Sequence, residues 1–240
     1  MPRDAREVFG RLMALRALLW RTQFELHLSR AAANRAAIEA GHADLATWMA
    51  AATIPFSPRE RALLDRALGS WTTDEIAEHV WRNEAAAVLL WYLDLVPSIP
   101  PYGVPVPAAA VMERIEQLPA LGSDSPPARP AAELAPALEL ASLWNWRART
   151  EGFKRAGTPP AAGDSYEATI AAAAKSAVDK KLVDAAHIAD GDLLVGPDTP
   201  YSRADEKQQR TLANIAHERH WALTWLSDTS SAWDSVNPST

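Results

Sequence analysis

Leu212, Ile215, Ala222, Leu223 and Leu226 recur at the three- and four-residue intervals of one helical face. Ile76, Val80, Val88, Trp91 and Leu95 keep the same period. Periodicity predicts further helices at about 4 to 27, 30 to 40, 43 to 52, 108 to 118 and 132 to 151. Capping residues punctuate the rest. Ser57, Pro58 and Glu60 form a capping-box start with Gly69 as a stop, and Thr72 with Glu75 opens a helix running to near Pro97. Asp164 with Glu167 opens an alanine-rich helix to about Ala186, and Ser202 caps the helix that carries "NIAHERHWALTWL". Proline excludes helix from 96 to 107 and from 119 to 130, so both stretches are read as extended loops. The segment "GDLLVGPDTPY" at 191 to 201 reads as a small β-hairpin around Gly-Pro-Asp. The predicted fold class is mainly α, a single compact multi-helix domain with one hairpin near 191–201.

Two charges interrupt this pattern. Arg219 falls at the centre of the apolar stripe from Leu212 to Leu226, and Glu84 at the centre of the stripe from Ile76 to Leu95. A lone buried charge is so unfavourable that it is ordinarily paired or neutralised, so the two are expected to form one buried ion pair. Such a pair can set helix register while adding little net stability. A catalytic role would need Glu84 as a general base, whereas a neighbouring guanidinium is expected to lower its pKa.

His217 and His220 invite a metal reading, but the spacing is H-E-R-H, one residue short of H-E-x-x-H. Their angular positions place them opposite or beside the stripe, facing solvent or a neighbouring surface. A calcium loop at 190 to 201 fails because leucines follow Asp192 and Tyr201 stands where the bidentate glutamate belongs. Paired Glu-x-x-His motifs for a di-metal bundle are missing as well. No metal site and no cofactor are expected.

Composition narrows the partners. A formal net charge of −6 without a basic stripe argues against nucleic acid, and the chain has no cysteine for disulfides or thiolate chemistry. The longest apolar run, "AAAVLLWYL", is about half of the ~20 residues that span a bilayer, so no membrane association is expected. Charges throughout the first twenty residues do not resemble a signal peptide, making the expected location cytoplasmic. Ten tryptophans are present, and at helical spacing they are expected to build core or to line a pocket floored by arginine and glutamate.

"WRNEAAAVLLWYLDL", "WNWRAR", "DLLVGPDTPY", "ERHWALTWL" and "WDSV", in that order, resemble the bacterial family catalogued as domain of unknown function 4272. The resemblance runs from about Ser57 to the C-terminus and implies one domain over 1–240, with looser N-terminal helices over 1–56 and a family-like core over 57–240 interrupted by the loop at 119–130. It implies that Trp81, Glu84, Trp91, Trp146, Arg149, Glu218, Arg219, Trp225, Trp233 and Asp234 occupy motif positions. Thr224 stands where the resemblance leads one to expect asparagine. No activity comes with the family. The expected function is a non-catalytic binding or interaction scaffold for an unknown protein or small-molecule ligand. The alternative is a hydrolase or transferase using Glu84 or Glu218 with Arg219 in an aromatic-lined cleft.

Overall fold

The computed structural model describes residues 2–30, 34–118, 127–160 and 165–237. Its helices are α1 (Ala5–Arg30), α2 (Arg35–Ala51), α3 (Pro58–Leu64), α4 (Thr73–His79), α5 (Arg82–Tyr92), α6 (Ala108–Glu116), α7 (Ala131–Arg155), α8 (Tyr166–Asp179) and α9 (Glu206–Ser227). A two-residue hairpin pairs β1 (Ile188–Ala189) antiparallel with β2 (Asp192–Leu193). The fold is mainly α. All of α5 is buried, as a helix that is apolar on most sides must be, and it packs against both α1 and α9. The long α7 lies along α9, with α8 against α7 and β2, while α2 covers α1.

Both capping boxes form: Ser57 accepts from the Glu60 N–H and Thr72 from the Glu75 N–H, with each glutamate reaching back. Other boundaries differ from the sequence reading, each for a local reason. The regions 30–40 and 43–52 form one helix, α2. The helix expected from Thr72 to Pro97 breaks at Val80 and Trp81, where the Glu84 N–H bonds the Trp81 carbonyl at 2.9 Å, one residue closer than the α-ladder.

Helix α5 then closes at Asp94, whose φ of 54° allows the Leu95 N–H to reach Leu90 O and its own N–H to reach Trp91 O. Lys181 at φ 61° closes α8 in the same way, so that helix stops at Asp179 rather than near Ala186. Neither stop contains the glycine that marks such ends in a sequence. Ser165, not Asp164, caps α8, and Asp164 lies outside the described residues. Asp205 takes the cap expected of Ser202 by accepting from the Gln208 N–H. The hairpin also lies earlier than expected, turning at Asp190 and Gly191, both with positive φ. The Gly-Pro-Asp turn follows it and is closed by a Leu194–Pro200 bridge and a bond from the Val195 N–H to Thr199 O at 2.9 Å. The proline stretch at 96–107 is irregular, as expected; of the stretch at 119–130 only 127–130 lies among the described residues.

Candidate functional site

The apolar stripes of α5 and α9 meet in the core and bring Glu84 and Arg219 into contact. Both side chains are fully buried, and Arg219 Nε and Nη2 donate to Glu84 Oε2 at 2.9 and 2.8 Å. Their remaining hydrogen-bonding capacity goes to the proline stretch. Glu84 Oε1 accepts from the Val106 N–H at 2.7 Å, Arg219 Nη1 donates to Pro100 O, and Asn83 Nδ2 donates to Val106 O. Prolines leave 96–107 without a regular ladder, and this pair supplies bonds that fix it. The Arg219 guanidinium also lies 4.8 Å over the Tyr102 ring. Burial pushes the Glu84 carboxyl above its ordinary value, against the pull of Arg219 and the Val106 N–H. That direction corrects the expectation of a lowered pKa: loss of solvent outweighs the neighbouring guanidinium.

The sequence reading found one member of a larger set. Among the described residues the buried arginines are Arg3, Arg11, Arg21, Arg82, Arg147 and Arg219. Each meets a carboxylate: Glu7, Glu60, Glu25, Glu218, Asp192 and Glu84 respectively. The most regular is Arg147 with Asp192, where Nε and Nη2 each donate to one carboxylate oxygen at 2.8 Å. Asp192 also accepts from the Leu193 and Ser202 N–H groups at 2.9 Å. Burial alone would raise the Asp192 carboxyl, but Arg147 and these N–H groups outweigh it and hold it below its ordinary value. Asp192 is therefore the anchor of the hairpin. Its signal in the sequence was an acid at the head of a short apolar run, "DLLV", with a partner whose helix face gave no register to predict it.

These two pairs hold the walls of a groove of about 610 Å³ between the proline stretch, the hairpin region and α7. Tyr102 and Trp144 stack in it, with centroids 5.1 Å apart and planes 4° from parallel; Val104, Leu140, Val183 and Val195 add apolar lining. Asp184 and His187 join the Tyr102 phenol as its titratable groups. The walls touch at Gly103, where a Cβ would lie 2.2 Å from Val195 O. The Tyr102 hydroxyl is buried and has no hydrogen-bond partner, and burial pushes its pKa up.

The residues singled out from the sequence do not form one pocket. Trp81 is half-buried at the start of α5, and Trp91 is buried with the Arg129 guanidinium 5.4 Å from its ring. Glu218 takes both oxygens to Arg82 Nη1 at 3.1 Å, and burial raises its pKa against that partner. Trp225 and Trp233 meet edge to face at 5.2 Å, with Arg3 over the first and Arg11 over the second. Asp234 is exposed, Trp146 half-buried on α7, and Arg149 exposed with its guanidinium 6.0 Å from the Phe153 ring. Thr224 Oγ1 is buried without a partner.

His217 is exposed and lines a polar cleft of about 510 Å³ with Arg149, Asn145 and Asn214. His220 is buried: of the two orientations expected, solvent or a neighbouring surface, it takes the second, because α7 packs closely on that side of α9. The Ser142 hydroxyl donates to Leu138 O, so at 3.0 Å from His220 Nε2 it serves as acceptor, and Asn145 Nδ2 donates to His220 Nδ1 at 3.1 Å. That network fixes the neutral Nε2–H tautomer and leaves Ser142 without a base to take its proton. Burial, then His217 and Arg149, lower the His220 pKa to about 4. Among the described residues no group of three or more histidines and acids could hold a metal, and no helix is long and apolar enough to cross a membrane.

A family model described as Domain of unknown function (DUF4272) matches residues 1–166. The match thus includes the N-terminal helices, where the resemblance read from the sequence began at about Ser57, while Glu218, Arg219, Trp225, Trp233 and Asp234 lie beyond it. No curated protein and no solved structure matches the chain.

Proposed function

The chain belongs to the family described as Domain of unknown function (DUF4272), and from its closed charge pairs and its fixed groove we propose that it is a non-catalytic binding scaffold for an apolar small molecule. One observation carries this reading: the buried pairs Glu84–Arg219 and Arg147–Asp192 spend their hydrogen bonds on the two irregular segments that wall the groove. A wall fixed before the ligand arrives loses little freedom on binding, which favours affinity. The volume of about 610 Å³ falls within the ~300–1,000 Å³ of small-molecule sites, and the mainly apolar lining with few polar groups suits them too. The hydrolase or transferase alternative draws less support, because Glu84 and Glu218 are both buried and committed to arginines.

Thermal-shift screening against apolar metabolites, repeated on Val104→Glu, tests the reading. Val104 is 59% exposed, so this change alters the groove without a core cost. Hits that stabilise the parent and lose their shift in the variant are expected. Hits indifferent to Val104→Glu, or turnover that disappears with Glu84→Gln in a protein that still folds, would sink it.

A further inference from the structure

A second cavity, sharing no lining residue with the groove, lies where α1, the end of α2 and α6 meet. It holds about 510 Å³ and is lined by Phe9, Met13, Trp48, Ile54 and Ile115, with Arg16 the one charged side chain among the described residues. The arginine is set apart by what it lacks. Every buried arginine among the described residues meets a carboxylate, and half-buried Arg66 and Arg129 do so too. Arg16 meets none among the described residues: its guanidinium lies 4.6 Å from the Trp20 ring and 4.7 Å from the Trp48 ring, and its Nε is buried without a hydrogen-bond partner. The two indoles stand edge to face, 87° apart, and hold the cation between them.

An aromatic cradle offers electrostatic attraction but no acceptor oxygen, so the buried Nε–H stays chemically unsatisfied. Burial pushes the Arg16 pKa below its ordinary value, with only the field of Glu116 opposing. A cation left in this state at the edge of an apolar cavity is complementary to a molecule with one carboxylate and an apolar body. The geometry points to a binding site for an apolar monocarboxylate, a fatty or aryl-alkanoic acid, with Arg16 taking the carboxylate and the Phe9, Met13 and Ile115 walls taking the chain. Trp20 and Trp48 keep the guanidinium in place before the ligand enters, so that less side-chain freedom is lost when the salt bridge forms. A phosphorylated or polyanionic ligand fits less well, because among the described residues no second cation lines the cavity.

Calorimetric titration with decanoate and with decanol tests this on the unmodified protein. Decanoate should bind at least about tenfold more tightly, since the alcohol can only accept a hydrogen bond from the guanidinium whereas the carboxylate also brings the opposite charge. In Arg16→Met the preference should vanish, with decanoate falling to the affinity of decanol, while Arg16→Lys should retain part of it. Ala52→Phe, which narrows the cavity without touching the cation, should weaken both ligands. Should Arg16→Met fail to fold by circular dichroism, the decanoate and decanol comparison on the parent still decides. Equal affinity for acid and alcohol, or no heat from decanoate below its micellar concentration, overturns the assignment. Val104→Glu separates the two sites: decanoate binding lost there would place the acid in the groove and refute the Arg16 site while leaving the groove reading intact.

Discussion

Replacing Arg219 by methionine should be among the most costly single changes in the molecule. The side chain is fully buried, and its loss strands Glu84 Oε2 together with the carbonyl of Pro100. Removing one partner of a buried pair costs about 3–5 kcal/mol, because the other charge remains in the core. Glu84→Gln should cost less within that range, since the introduced amide oxygen can still accept from the Val106 N–H and Arg219 keeps Pro100 O. The double variant should recover much of the combined loss, as neither a bare carboxylate nor a bare guanidinium is then buried. It should not recover all of it, because the Pro100 carbonyl still lacks its donor. Urea unfolding of the parent, both single variants and the double variant yields the coupling, which should exceed ~1 kcal/mol. Additive losses would refute the reasoning, showing that the two side chains act independently.

Stability should fall in mild acid through His220. Its folded pKa of about 4 lies below the ordinary 6.5, so the unfolded chain binds more protons between those values. The contribution is complete above about pH 6.5 and is lost towards pH 4, by up to ~1.4 kcal/mol per pH unit. His220→Gln should flatten the slope of unfolding free energy across that window; an unchanged slope would place the proton elsewhere. Asp192→Asn should raise hydrogen exchange at 188–200 before global unfolding, because Arg147 loses its carboxylate partner there; uniform acceleration throughout the chain would count against a local anchor. Tyr102→Phe deletes a buried hydroxyl that has no partner and should leave the melting temperature unchanged or raised, since an unmatched polar group costs ~1–3 kcal/mol. A marked drop would reveal a bond from that hydroxyl.

Periodicity exposed the Glu84–Arg219 pair because each charge stands inside a long stripe that leaves it no other side to face. Arg11, Arg21 and Arg82 belong to the same class of buried cation, yet α1 and α5 bury several faces at once, so no single stripe marks these residues as misplaced. Arg147 escaped notice for a different reason: its partner sits in a two-residue strand whose position depends on the positive φ of Asp190, not on any periodic signal. Helix starts were legible at Ser57 and Thr72, where side-chain chemistry is local. Helix ends at Asp94 and Lys181 were not, because tertiary packing there imposes a left-handed residue on a side chain that carries a Cβ. The groove depends on how two irregular segments meet across Gly103, a contact between residues 103 and 195 with no local trace in either.

The matched family region ends at residue 166, yet three of the six buried arginines among the described residues pair with their carboxylates across that boundary. Arg82, Glu84 and Arg147 lie before it, while their partners Glu218, Arg219 and Asp192 lie after it. During synthesis these charges emerge from the ribosome well ahead of the groups that neutralise them, so α5 has to wait, hydrated, for α9 before it can enter a dry core. A fragment cut at the edge of the match would keep Glu84 without its arginine and would leave Arg82 and Arg147 with only Glu78 and Glu151, their half-buried partners one helical turn away. The core that these three pairs close thus extends past the matched region.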